Sequence, residues 1–173
     1  MKTKMKQLAI LSMLCSLAWS EMSIAANAEY LKIYLMQPKN IILDKINGID
    51  DMDRYVKEVE ISINKKLAKI PRSSTSWGFL VIAVRNDGKI KTWLDTDDAV
   101  PPAIASAMIN VAESTKAFTV KNGAAVFALG FAVDGADLPV NKMPFPNEWK
   151  KVASCDNEDC KEKNAEEIVL KSW

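Results

Sequence analysis

The chain has 173 residues, with 23 lysine and arginine side chains, 22 aspartate and glutamate side chains and no histidine, which gives a formal net charge of +1. This balance argues against nucleic-acid binding, which favours a basic excess or a basic stripe. The absence of histidine excludes histidine-based nucleophilic catalysis and removes the imidazole ligands of a zinc site.

Residues 1–28 have the pattern of an export signal. Three lysines in the first six residues precede an apolar run from Leu8 to Trp19, and Ala26-Asn27-Ala28 offers the small residues that signal peptidase accepts. The alternative is a membrane anchor, but a spanning helix needs about 20 apolar residues and Glu21 interrupts this run. We therefore expect cleavage near Ala28, a periplasmic or secreted protein, and no stable membrane insertion after cleavage.

Cleavage after residue 28 removes three lysines and one glutamate, which leaves 20 basic and 21 acidic residues. The mature net charge of −1 again favours neither nucleic acid nor an anionic membrane surface. The remaining 145 residues suit one domain with a single core.

Residues 29–50 are predicted to form an N-terminal arm. The run from Tyr30 to Met36 is rich in aromatic and β-branched residues, which favours a strand, and Asn47-Gly48 is a turn signal. Asp50 or Asp51 is then expected to cap a helix that continues to about Lys69. Its apolar residues recur at steps of three and four and predict one buried face: Val56, Val59, Ile63, Leu67 and Ile70.

A tight hairpin follows. The apolar runs Phe79 to Val84 and Ile90 to Leu94 flank Asn86-Asp87-Gly88, and Asp-Gly readily adopts the positive φ angles of such a turn. Because the first run is apolar at both odd and even positions, it predicts a central strand covered on both faces.

Pro101 and Pro102 suit the first turn of a second helix, residues 103–114. The run Ala124 to Val133 then separates by size, with large residues such as Phe127 and Phe131 on one face and small residues on the other. This run contains neither charge nor proline, so as an edge strand it would lack protection against pairing. Its small face is our candidate partner-binding edge: Ala124, Val126, Ala128, Gly130 and Ala132.

The alternative is that another segment of the same chain covers this strand. Either the segment Tyr30 to Met36 or the C-terminal run Ile168 to Trp173 would then pair with it. The predicted fold class is α+β: a small antiparallel sheet of about three strands, residues 79–85, 89–95 and 124–133, with two helices on one face. Residues 51–133 form this domain and residues 134–173 a C-terminal extension.

Cys155 and Cys160 are the two cysteines left after cleavage. In an exported chain, an even pair separated by four residues predicts a disulfide. A redox pair usually has a spacing of two, and a zinc site needs further cysteine or histidine ligands. The same segment also carries acidic residues, Asp156, Glu158 and Asp159, which we interpret as solvated.

Asp95, Asp97 and Asp98 are the strongest candidates for catalysis or cation binding. Three carboxylates within four residues could hold a hard cation, but the glycine and the distant glutamate of an EF-type loop are missing. A solvated loop before the second helix explains the cluster more simply. A serine nucleophile would need a lysine base, and Ser62 with Lys65 or Lys66 lies on the predicted first helix, where lysine normally faces solvent. We therefore expect no catalytic residue, no metal and no cofactor.

Together these elements resemble a known family. The stripe Tyr55-x-x-x-Val59 on a helix that ends in Lys69-Ile70-Pro71, the turn Asp87-Gly88-Lys89-Ile90, an alanine-rich helix and a final apolar strand are similar to the C-terminal domains of TonB and TolA. The resemblance covers residues 51–133, about half of the chain. It implies a periplasmic module that binds protein partners, in part by strand addition at a sheet edge.

The chain departs from that family in three ways. We expect neither a membrane helix nor a proline- or alanine-rich spacer in residues 1–50, and Asp95-Thr96-Asp97-Asp98 stands where TonB-type domains commonly have a serine-glycine step. We therefore do not expect an energy-coupling role. The leading hypothesis is an exported, non-catalytic protein that binds another cell-envelope protein, and an inhibitor or immunity protein belongs to the same binding class. The alternative is a small exported hydrolase that uses Asp95, Asp97 or Asp98.

Overall fold

The computed structural model describes residues 25–72, 75–97, 100–137, 139, 142–154 and 164–173. These residues form an α+β fold with an open antiparallel sheet of four strands and with five helices. The strands are β1 (Ala28–Leu35), β2 (Ser76–Arg85), β3 (Ile90–Thr96) and β4 (Ala124–Val133). The helices are α1 (Lys39–Lys45), α2 (Ile49–Leu67), α3 (Pro102–Ser114), α4 (Asn147–Ala153) and α5 (Ala165–Lys171).

The strand order is β1-β4-β2-β3. The predicted β2–β3 hairpin is confirmed, with Leu80 opposite Leu94 and a positive φ of 80° at Gly88. On the other side of β2, Leu80 also lies opposite Leu129 of β4, and Leu129 lies opposite Ile33 of β1. The prediction of about three strands is therefore too low, because the N-terminal arm supplies the fourth.

The physical reason for the fourth strand lies in β4. All ten of its residues are buried. Buried backbone N–H and C=O groups need hydrogen-bond partners, so this strand must pair along both of its sides. The segment predicted to form a strand near Tyr30 provides the second partner.

One face of the sheet carries α2 and α3, as predicted for the two longer helices. The core on this face contains the α2 stripe, α3 residues such as Ile104 and Met108, and the large residues of β4, including Phe127 and Phe131. The hydroxyl of Tyr55 donates to the backbone oxygen of Ala112 at 2.8 Å and joins the two helices. Helix α2 begins one residue before the predicted caps, with Gly48 at the N-cap, while Asp50 and Asp51 lie in its first turn.

The opposite face carries α4 and α5, so the prediction of helices on only one face is wrong. Phe79, Val81 and Trp93 point to this face and would otherwise be exposed to water. Trp149 of α4 is fully buried there and meets Trp93 edge to face, with ring centroids 5.4 Å apart. Helix α5 covers the small residues of β4 with a buried surface that includes Val169.

A partly buried polar cluster joins α5 to the start of β4. The Glu166 carboxylate accepts hydrogen bonds from Lys45 Nζ at 2.8 Å, from the Ala124 backbone N–H at 3.0 Å and from Gln37 Nε2 at 3.1 Å. The Gln37 side chain also bonds the backbone of Ala124 and Val126, where β1 has already ended. Side chains thus continue the pairing of β4 and tie the C-terminal segment to the sheet.

Candidate protein-binding surfaces

The predicted aspartate cluster serves the backbone rather than forming one convergent group. Asp95 Oδ2 accepts from the Phe145 N–H at 2.8 Å, and Asp97 Oδ2 lies 3.4 Å from the Trp77 N–H. Both carboxylates therefore hold segments beside the end of β3, each with a different partner. Asp98 lies outside the described residues.

In the part of the chain that the structure describes, no group of side chains is assembled for metal binding or for serine catalysis. No cluster of three or more His, Cys, Asp or Glu side chains there could hold a metal ion. Ser62 and Lys65 both line a groove beside α2, but no hydrogen bond joins them. Cys155 and Cys160, the predicted disulfide, and the neighbouring acidic residues lie outside the described residues.

The candidate binding edge on β4 is not available in this fold. Strand β4 lies between β1 and β2, so its backbone groups pair on both sides. Its small-residue face is also covered, since α5 packs there. In the described fold, none of the five predicted positions lies on a sheet edge: Ala124, Val126, Ala128, Gly130 and Ala132.

Strand β1 is the outermost strand on its side of the sheet, and no described strand pairs with its outer edge. Only Asn64 reaches it among the described residues, with Oδ1 accepting from the Ala28 N–H at 3.0 Å. Residues of an antiparallel strand alternate in the direction of their N–H and C=O groups. The Met36 N–H donates to the Val126 oxygen, so the backbone groups of Met36 point toward β4. Ile33 is an odd number of residues from Met36, and its N–H and C=O therefore point away from the sheet. The Ile33 side chain is 41% exposed as well.

The other sheet edge is covered at its centre. The N–H and the hydroxyl of Thr92 in β3 both donate to Glu113 Oε1, at 3.0 and 2.9 Å. Glu113 belongs to α3 and so occupies the place that another strand would take. Of the two edges, β1 is the one with outward backbone groups available along the centre of the strand.

Features on β1 restrict indiscriminate pairing. The register with β4 shifts between Tyr30 and Lys32, and the exposed Lys32 places a charge on the edge. On the inner side, burial raises the pKa of the Tyr30 hydroxyl, and the nearby Glu60 carboxylate of α2 raises it further. The start of β1 is therefore held under α2, while the side chains of Lys32 and Ile33 are exposed.

Two adjoining grooves run along the side of α2 that faces away from β1. The larger, about 620 Å³, lies between α2 and the end of α3, and the smaller, about 330 Å³, lies beside the segment 116–119. Glu58 and Lys116 line both. The basic residues of the larger groove are Lys65, Lys66, Lys69 and Lys116.

Sequence reasoning missed both surfaces, although part of each signal was present. The strand tendency of Tyr30 to Met36 was recognised, but its place at an edge depends on the sheet order. The three lysines near the end of α2 follow a helical spacing, yet only tertiary packing brings Lys116 beside them.

Comparison with known proteins finds no matching family model, no matching curated protein and no matching solved structure. Within the described residues, every helix is too short or too polar to span a bilayer.

Proposed function

We propose that this chain is an exported, non-catalytic protein that binds another protein of the cell envelope. The observation that carries the proposal is the open outer edge of β1, where the backbone groups of Ile33 face away from the sheet. An extended segment of a partner can pair with such an edge through backbone hydrogen bonds.

The chemistry of β1 supports a selective edge rather than an aggregation-prone one. Ile33 offers an apolar contact, and alternate side chains of an added strand would meet it and its neighbours on defined faces. Lys32 and the register shift beside it disfavour pairing with arbitrary strands. Lys32 Nζ also lies 4.9 Å from the centre of the Tyr34 ring, which holds its charge beside β1 on the sheet face that carries α4 and α5.

Two features of the sequence agree with this role. The first 28 residues have the pattern of an export signal, which favours a periplasmic or secreted location. The order helix, hairpin, helix and strand is the pattern that resembles the TonB and TolA C-terminal domains, which bind partners partly by strand addition. In the fold these elements are α2, β2–β3, α3 and β4.

The test uses one position and two substitutions. Ile33→Pro removes an outward backbone donor without removing a β1–β4 hydrogen bond, and proline is tolerated on edge strands. Ile33→Ala is the matched control, because it shortens the same side chain but keeps the donor. Both variants and the parent are exported in cells, recovered from envelope extract with cross-linked partners, and compared by mass spectrometry.

We expect one partner to be recovered with the parent and with Ile33→Ala, and its binding to Ile33→Pro to fall at least tenfold when measured with purified components. Circular dichroism establishes that each variant is folded. A folded Ile33→Pro protein that binds the same partner as tightly as the parent would exclude strand addition at β1.

A further inference from the structure

The larger groove beside α2 is strongly basic. Among the described residues that line it, four are lysines and Glu58 is the single carboxylate. None of these lysine side chains forms an ion pair or a hydrogen bond with a described residue. By contrast, Lys57 on the exposed face of the same helix pairs with Asp53 at 2.7 Å. The groove therefore gathers positive charge in a chain whose overall charge is nearly balanced.

The helix dipole accounts for only part of this arrangement. Lys65 and Lys66 lie in the last turn of α2, where cations are stabilising. However, a lysine can interact favourably with the negative end of the helix dipole from any direction around the axis. Here Lys69, beyond the end of α2, and Lys116, beyond the end of α3, line the same groove. Unpaired cations from two elements thus face one open space.

We propose that this groove binds an acidic segment of a partner protein in an extended conformation. Lys65 lies in the last turn of α2, and Lys69 lies in the tight turn that follows, where its N–H donates to the Lys66 oxygen. The two lysines are therefore about one helical turn apart, roughly 5–6 Å along the axis. Alternate residues of an extended chain are about 6.6 Å apart. A segment with acidic residues at every second position therefore matches the lysine spacing, while Ser114 and Thr115 lie on the opposite wall.

The adjoining groove extends the same path toward the start of α2. Its lining includes Ala117 and Phe118, and Arg54 there is already paired with Asp51 at 3.1 Å. The charge of this second part is balanced, so it favours polar or small apolar residues over further acidic ones. The charge complementarity is thus confined to the larger groove.

This inference shares with the proposed function the idea of a protein-binding role, but it concerns a separate surface. Strand β1 and the groove lie on opposite sides of α2. The variant Ile33→Pro leaves the groove lysines unchanged, and the lysine substitutions leave β1 unchanged. Each proposal can therefore fail while the other holds.

The probe is a fluorescein-labelled decapeptide of alternating glutamate and threonine, and binding is followed by fluorescence anisotropy at 0.15 M salt. At this ionic strength, charges more than about 8 Å apart are largely screened, so local contacts dominate. A peptide with glutamine in place of glutamate serves as the neutral probe. Vesicles of phosphatidylglycerol and inorganic phosphate are tested as competing anions.

Two quadruple variants with the same change in net charge are compared. The groove variant carries Lys65→Gln, Lys66→Gln, Lys69→Gln and Lys116→Gln. The control variant replaces four lysines that are exposed and lie outside the groove: Lys39→Gln, Lys89→Gln, Lys121→Gln and Lys151→Gln.

We expect the acidic peptide to bind the parent and the control variant with dissociation constants within threefold of each other, and to bind the groove variant at least tenfold more weakly. Equal weakening in both variants would show a net-charge effect and overturn the proposal. It would also be overturned if the acidic peptide binds no better than the neutral one, or if vesicles or phosphate bind in the groove and the acidic peptide does not.

Discussion

At the level of single residues, one partly buried carboxylate joins α5 to α1 and to the start of β4. Glu166 accepts from Lys45, Gln37 and the backbone of Ala124, and the side chains of Lys45 and Glu166 are only 10% and 19% exposed. Removing one partner of such a pair leaves a desolvated charge without compensation, which is costly. Gly123 lies directly against this carboxylate and has a φ of 56°, in the left-handed region.

Gly123→Ala is expected to destabilise the protein by about 2–4 kcal/mol, because it adds left-handed strain to the loss of charged hydrogen bonds. A Cβ atom at this position would overlap Glu166 Oε1 and displace the carboxylate from Lys45. The matched control is Gly88→Ala, where φ is 80° but the space is open, so only about 1 kcal/mol of strain is expected. Urea unfolding of both variants measures the difference, and equal losses would contradict the role of Glu166.

At the level of elements, the β2–β3 hairpin was predictable because its signal is local. Gly88 donates to the Arg85 oxygen, and the Arg85 N–H donates to the Lys89 oxygen, both at 2.9 Å. The Asp87 carboxylate binds the Arg85 guanidinium, with the shorter contact at 2.6 Å. These contacts join residues within four positions of one another, so neighbouring sequence was sufficient to predict them.

The contact between Arg85 and Asp87 in the hairpin predicts that the stability of the protein depends on pH. The pKa of Asp87 is lowered to about 2, mainly by the hydrogen bond from Arg85 and further by the Lys89 backbone N–H and the nearby positive charges. The folded state therefore favours the charged carboxylate, and the stabilisation is present above the ordinary aspartate pKa and lost as the pH falls through about 2. Arg85→Gln should raise the Asp87 pKa toward the ordinary value, as followed by carboxyl carbon NMR.

Lys89→Gln is the control for this titration, because the Lys89 ammonium lies 3.9 Å from Asp87 and contributes least to the lowered pKa. Its effect on the Asp87 pKa should be clearly smaller than that of Arg85→Gln. The reverse order would show that the pKa depends on nearby positive charge rather than on the guanidinium hydrogen bond.

The remaining elements could not be placed from the sequence, for two physical reasons. Helices α1, α4 and α5 have seven residues each, which is too short for a reliable periodic pattern. The position of β4 inside the sheet depends on pairing between segments almost a hundred residues apart, such as Ile33 with Leu129. An apolar run without charges is compatible with either an edge or a centre until its neighbours are known.

At the level of the whole molecule, both ends of the described chain join the central unit. The N-terminal arm supplies β1, and the C-terminal segment supplies the helices on the second face. This explains why the sequence predicted the hairpin and the two long helices but not the candidate binding surfaces. The open edge exists only because β1 becomes the outermost strand, and the basic groove exists only because the end of α3 meets α2.

The same view of the whole chain leads to a prediction about where the mature protein begins. The Ala26 N–H donates to the Ile70 oxygen at 2.9 Å, and Ala26 and Ala28 are only 3% exposed. The Asp134 N–H donates to the Asn27 oxygen at 3.0 Å, and the Asn27 N–H donates to Asp134 Oδ1 at 3.2 Å. A purified chain of residues 29–173 lacks these contacts. It should be less stable than residues 25–173 by about 1–3 kcal/mol, after the cost of ordering the extra residues is deducted.

Urea unfolding of the two chains tests this expectation, and coincident midpoints would show that residues 25–28 contribute nothing to the fold. Mass spectrometry of the protein purified from cells then decides which chain exists there. Cleavage after Ala28, as the sequence pattern predicts, produces the shorter and less stable chain, whereas cleavage before Ala26 retains the contacts with Ile70 and Asp134. In the shorter chain the Ala28 donor to Asn64 is also lost, so β1 would be held less firmly at the edge proposed to bind the partner.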